Sequence, residues 1–162
     1  MDSRIEEREA FEVFGIERVF HNDETNLCPA FWDECIQNGE YSRLYIAAGA
    51  KADADGKHCI NAVCGYGDSS DEKWRYMICA LKKPNSDTTG FCTVQIPKTT
   101  WAVFRSEKTK TVGNEIPKLF NCAYSEWLPT SGYDKEIGPD MEVYYTDSDG
   151  KNWEEVWIPV KK

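Results

Sequence analysis

The residue that carries the most chemistry is Glu142, in Pro139-Asp140-Met141-Glu142-Val143-Tyr144-Tyr145. On a strand, 142 and 144 share one face while 141, 143 and 145 share the other. Met141, Val143 and Tyr145 are apolar too, so alternation alone does not say which face is inward. If both faces are covered, Glu142 sits among aromatics with little water. A buried carboxylate must be paired, protonated or waiting for a charged partner. The plain alternative is a solvated strand glutamate, the commoner state of this residue. Tyr66, Tyr76, Trp101, Phe104, Tyr144 and Trp157 all fall on predicted strands or their ends. Aromatic walls around one acid favour flat or cationic apolar ligands, through buried area and cation–π attraction; the plain reading of each ring is core. Glu126, at the end of a predicted helix, either faces solvent or reaches the same place.

Other chemistries lack their residues. Asp53-Ala54-Asp55-Gly56 and Asp147-Ser148-Asp149-Gly150 hold the inner positions of a calcium loop. In both, position 1 (Lys51, Tyr145) and position 12 (Ala62, Val156) carry no ligand, so both are turns. His21 and His58 are the only imidazoles, and the seven cysteines contain no C-x-x-C pair, so neither a metal nor a cofactor is expected. There is no G-x-S-x-G elbow, P-loop or dinucleotide fingerprint. No required disulfide is expected either.

These residues must be positioned by a chain of 162 residues with 28 acidic and 19 basic side chains, a formal charge of −9. That balance argues against a nucleic-acid backbone as a direct partner. At 41% apolar and 13% aromatic the chain supports a real core. No stretch approaches the roughly 20 apolar residues of a membrane helix, and the charged start lacks a signal-peptide core. Neither membrane nor export is expected, and the cytoplasm is the default location.

After that charged lead, 11–20 is an extended apolar run. A helix starts near Pro29, with 28, 31, 32, 35 and 36 at helical spacing. The run 41–48 is ambiguous between helix and strand. Strands follow at 59–66 and 74–81, around a turn at 67–73. The segment 82–90, KKPNSDTTG, is the strongest internal boundary. Beyond it come strands at 91–96 and 99–105, a helix over 115–124, and strands at 141–146 and 154–160 around the turn 147–151. The halves 11–81 and 91–160 therefore repeat one order: strand, helix, strand, strand. The expected fold class is α+β, one ligand-binding domain over 1–162.

IPKTTWAVFRS, SEWLPTSGY, GPDMEVYY and the closing EVWIPVKK, in this order, resemble the GyrI-like family. That family includes the effector-binding domains of AraC-type and MerR-type multidrug regulators. FEVFGIERVF, FWDEC and YMICA extend the resemblance over nearly the whole chain. It implies a duplicated unit with two helices on a curved antiparallel sheet and a ligand groove at the pseudo-twofold seam. The family's pocket acid carries over to Glu142 and an aromatic of the last strand to Trp157, which makes a hydrophobic or cationic small molecule the expected ligand. Two further readings follow from the resemblance. One is hydrolysis of small isothiocyanate- or cyclopropanoid-like electrophiles, with Glu142 and Tyr144 or Tyr76 acting on water. The other is a protein partner, gyrase or a regulator. Regulators of the family carry a helix-turn-helix module; here the two halves use up the chain, so no DNA-binding domain is expected. The acids and aromatics of WDEC and EKWRY are assigned no role.

Overall fold

The computed structural model describes every residue except 25–26 and 68–71. The strands are β1 (Asp2–Arg8), β2 (Phe11–His21), β3 (Asn61–Cys64), β4 (Lys73–Leu81), β5 (Cys92–Ile96), β6 (Thr99–Arg105), β7 (Asp134–Lys135), β8 (Asp140–Thr146) and β9 (Asn152–Lys161). The helices are α1 (Cys28–Gln37), α2 (Glu40–Ala47) and α3 (Ile116–Asn121). Pro29 opens α1 within its first turn, where a missing N–H costs nothing. The ambiguous run near 41–48 is helix α2, one helix more than the repeat anticipated. After α3 the chain winds through a π-helical turn, Cys122–Trp127, and a short 3₁₀ turn, Leu128–Thr130. The turn expected at 67–73 lies largely outside the described residues.

All ladders among the described residues are antiparallel. The sheet order is β1-β6-β9-β8-β3-β4-β2-β5, with β7 paired to β9. The order is symmetric about the β8–β3 contact: β3, β4 and β2 lie on one side, β8, β9 and β6 on the other. At its two ends, β1 runs into β2 through only Glu9 and Ala10, and β5 into β6 through only Pro97 and Lys98. Arg8 pairs with Thr99 and Phe11 with Ile96, so the register does not slip across these links. β1–β2 and β5–β6 thus form one long bent ribbon. Because that ribbon joins both ends of the sheet order, the sheet curls and its ends are brought together. At Gly15, where β2 parts from β5, a Cβ would fall 1.9 Å from the carbonyl oxygen of Ile78, so only glycine allows this approach.

Strand β1 is a correction to the charged lead expected before residue 11. Its half-buried positions are Arg4, Glu6 and Arg8, so the alternation that marks a strand is made of charges. They are satisfied by one another and by Glu155, whose carboxylate takes Arg4 Nη1 and Arg105 Nη2 at 3.0 Å each.

Both faces of the sheet are covered. The concave face buries Val13, Val63, Met77, Met141, Val143, Trp101 and Trp157 in one cluster. The helix-bearing face buries two clusters. One lies under α1 and α2 around Phe14, Phe31, Leu44 and Tyr76, and the other under α3 around Phe104, Leu119, Tyr144 and Ile158. Trp32 of α1 packs against both, so it bridges the seam.

Candidate functional site

The seam between the two helix-side clusters holds Glu142. Its strand, β8, is central because β3 and β9 pair with it on either side, Ala62 and Val156 standing opposite Glu142. Glu142 is 6% exposed and points to the helix-bearing face with Tyr144. The hydroxyls of Tyr76 and Tyr144 both donate to Glu142 Oε2, each at 2.8 Å. Among the described residues nothing donates to Oε1, and no Lys, Arg or His forms an ion pair with this carboxylate. Trp32 Nε1 donates to the Tyr76 hydroxyl at 2.8 Å. The Trp32 ring meets that of Tyr144 edge to face, centroids 5.6 Å apart. Trp32 therefore lids the two tyrosines that hold the acid.

The electrostatics follow from burial. Desolvation pushes the Glu142 carboxyl above its ordinary range, opposed by the two tyrosine hydroxyls and reinforced by Asp140. Burial, then the charge of Glu142, pushes Tyr76 and Tyr144 far above the usual phenol, so they act as donors at neutral pH. The Cys28 thiol, on the first turn of α1, is pushed up to about 12 by burial and then by Glu142. Asp140, two residues from Glu142 on the same face, accepts the Tyr124 hydroxyl at 2.6 Å and stands 3.6 Å from Lys135 Nζ. The site is a buried carboxylate with two donors committed to one of its oxygens.

A raised carboxyl pKa has a definite sign in stability. Between the unfolded value, about 4.3, and the raised folded value, the folded chain holds more protons than the unfolded one. Stability is then lost as pH rises through the folded pKa. Glu142→Gln removes that loss. We expect the variant to be more stable than wild type near pH 8 by roughly 1–3 kcal/mol, the cost of an incompletely bonded buried polar group. The gap should close toward pH 4, and urea melts across that range measure it. A constant gap would mean that Glu142 does not titrate differently on folding.

The structure brings Glu142, Tyr144 and Tyr76 together and separates the other sequence candidates from them. Phe104 shares the helix-bearing face but lies two strands away, β6 to β9 to β8, about 9–10 Å off, edge-on to Trp127. Trp157 pairs with Met141, so its ring is on the concave face, across the sheet from Glu142. Trp101 is there too, 5.9 Å from the Trp157 ring. Tyr66 also packs in the concave cluster and donates to Glu17 Oε1 at 2.9 Å. Glu126 is exposed on the π-helical turn. Trp32, Cys28, Asp140 and Tyr124 were not singled out in the sequence as site residues. The one available signal was the acid- and aromatic-rich FWDEC run, whose tryptophan is the lid.

All seven cysteines are free thiols. Among the described residues, no group of three or more His, Cys, Asp or Glu is placed to hold a metal ion. No helix among them is long and apolar enough to cross a membrane.

The model of the GyrI-like small molecule binding domain matches residues 1–161. The sequence finds no match among curated proteins. Among solved structures, SAV2435 bound to tetraphenylphosphonium is 19% identical with a TM-score of 0.78, covering 99% of this chain and 94% of its own. An integron cassette protein from the mobile metagenome of Vibrio cholerae is 18% identical with a TM-score of 0.64, covering 98% and 95%. The EcmrR C-terminal domain is 12% identical with a TM-score of 0.56, covering 99% and 98%. At these identities the likeness is one of fold.

Proposed function

Because the chain belongs to the GyrI-like small-molecule binding family, we propose that it binds an aromatic cation at the seam, with Glu142 as the counter-charge. The observation that carries this is the buried carboxylate of Glu142, which among the described residues is held on Oε2 alone and has no cation partner. A desolvated acid in that state gains most from a ligand that brings its own positive charge and little hydration. Tyr76, Tyr144 and Trp32 offer ring faces and edges to an aromatic body. The similar fold of SAV2435, solved with tetraphenylphosphonium, supports the same ligand chemistry.

Binding requires an opening, since Trp32 and α1 cover the acid. α1 is ten residues long with no side-chain cap at its N-terminus, so packing rather than local bonding holds it. Displacement of Trp32 gives up its bond to the Tyr76 hydroxyl and does not itself require breaking either tyrosine bond to Oε2. The test is a calorimetric titration of the protein with tetraphenylphosphonium and with neutral triphenylphosphine oxide. Saturable binding of the cation, tighter than the neutral compound, is expected. Equal binding of both, or none, would overturn the reading.

A further inference from the structure

A cavity lies across the sheet from Glu142. A groove of about 840 Å³ opens on the concave face, within the size range of small-molecule sites. Its floor includes Phe11, Val13, Met141, Val143 and Trp157. Met141 and Val143 flank Glu142 in sequence but point the other way, and on strand β4 Tyr76 serves the Glu142 site while Cys79 lines the groove, so the two sites share strands β8 and β4 but lie on opposite faces of the sheet.

The polar lining has the opposite sign to the molecule. Arg8, Lys51, Lys57 and Lys83 face two carboxylates, Glu9 and Asp53, in a chain of net charge −9. Both carboxylates are engaged elsewhere. Glu9 pairs with Lys98 at 3.4 Å. Asp53 Oδ1 accepts the backbone N–H of Asp55 at 2.9 Å and of Lys57 at 3.0 Å. Lys57 is half-buried, and among the described residues its ammonium forms no ion pair or hydrogen bond. It stands 5.3 Å from the centroid of Trp157, over the ring. The Arg8 guanidinium stands 4.3 Å from the same ring. Burial and then Arg8 lower the Lys57 pKa, so the ammonium is held at a cost. Arg8 is paired with Glu6 through Nε and Nη2 at 3.1 and 2.7 Å, so the cation over the ring that still wants an anion is Lys57.

We propose that this groove is a second ligand site, specific for an amphipathic organic anion. Its carboxylate or sulfonate is held by Lys57 and Arg8 beside Trp157, and its apolar body lies on Phe11, Val13, Met141 and Val143. The site does not depend on the cation site at Glu142. One face of the sheet then selects positive and the other negative aromatic molecules.

The experiment uses 1-anilinonaphthalene-8-sulfonate as the anionic probe and the uncharged N-phenyl-1-naphthylamine as its match, followed by fluorescence. Saturable binding of the sulfonate, tighter than that of the amine, is expected. Lys57→Met and Arg8→Gln should each weaken the sulfonate by about tenfold or more, the worth of one charge-assisted hydrogen bond, and leave the amine unchanged. Glu142→Gln should leave the sulfonate unchanged, and saturating tetraphenylphosphonium should not displace it. No saturable sulfonate binding, equal affinity for sulfonate and amine, unaltered affinity in both cation variants, or displacement by tetraphenylphosphonium would each overturn the proposal. Failure of the phosphonium to bind at all would count against the Glu142 reading only, since the Lys57 and Arg8 comparisons do not use it.

Discussion

Glu142→Gln is expected to weaken tetraphenylphosphonium binding by about 10- to 100-fold, the loss of roughly 1.5–3 kcal/mol that goes with one charged contact in a desolvated site. Glutamine keeps the size of the side chain and can still accept from Tyr76 and Tyr144. What it lacks is the negative charge of the carboxylate, whose Oε1 has no partner among the described residues. Triphenylphosphine oxide, with similar rings and no net charge, should bind the variant about as well as wild type. The affinity ratio between cation and neutral ligand therefore reports the carboxylate itself. It also separates this role from mere packing, because a packing defect would weaken both ligands together. Tyr144→Phe gives an intermediate check. It removes one donor from Oε2, leaves the carboxylate more basic and less well fixed, and keeps the charge. An unchanged ratio in Glu142→Gln would return this residue to the status of a buried structural acid.

Trp157→Ala should act in the opposite manner, with a large effect on stability and none on the cation. The ring is 2% exposed, packs at 5.9 Å from Trp101, and donates from Nε1 to Glu155 Oε2 at 2.9 Å. Truncation leaves a cavity in the concave core, at about 3–5 kcal/mol for a buried tryptophan. It also removes one of the four groups that, among the described residues, hold the buried Glu155 carboxylate, the others being Arg4, Arg105 and Tyr145. Urea unfolding measures the first effect. Tetraphenylphosphonium titration of the folded variant should match wild type, because the ring and Glu142 are on opposite faces of the sheet. A parallel loss of phosphonium affinity would place the ligand on the concave face and contradict the seam. Trp157→Phe, which keeps most of the ring volume, serves if the alanine variant does not fold.

The sequence by itself determined most of the local order and the chemistry available. Helical spacing around Phe31 and Trp32 marked α1, and apolar runs bounded by turns marked β3, β4, β6, β8 and β9. The i, i+2 relation placed Glu142 and Tyr144 on one face without any structure. The motifs of the second half identified the family. Local pattern sufficed there because each depends on neighbours within one or two turns of chain. Which face of β8 looks at the helices was not legible, since a sheet covered on both sides has apolar residues on both, and alternation then carries no sign. The same holds for Trp157. Its position across the sheet from Glu142 depends on the pairing of Met141 with Trp157, and a slip of one residue would have put it on the other face. Strand β1 was hidden because its half-buried positions are charges, and the buried carboxylate that takes Arg4, Glu155, lies 151 residues away in the chain. Only the pairing of β1 with β6, and of β6 with β9, brings the two together. That pairing also brings Arg8 beside Lys57, and so makes a cationic groove that no stretch of sequence contains.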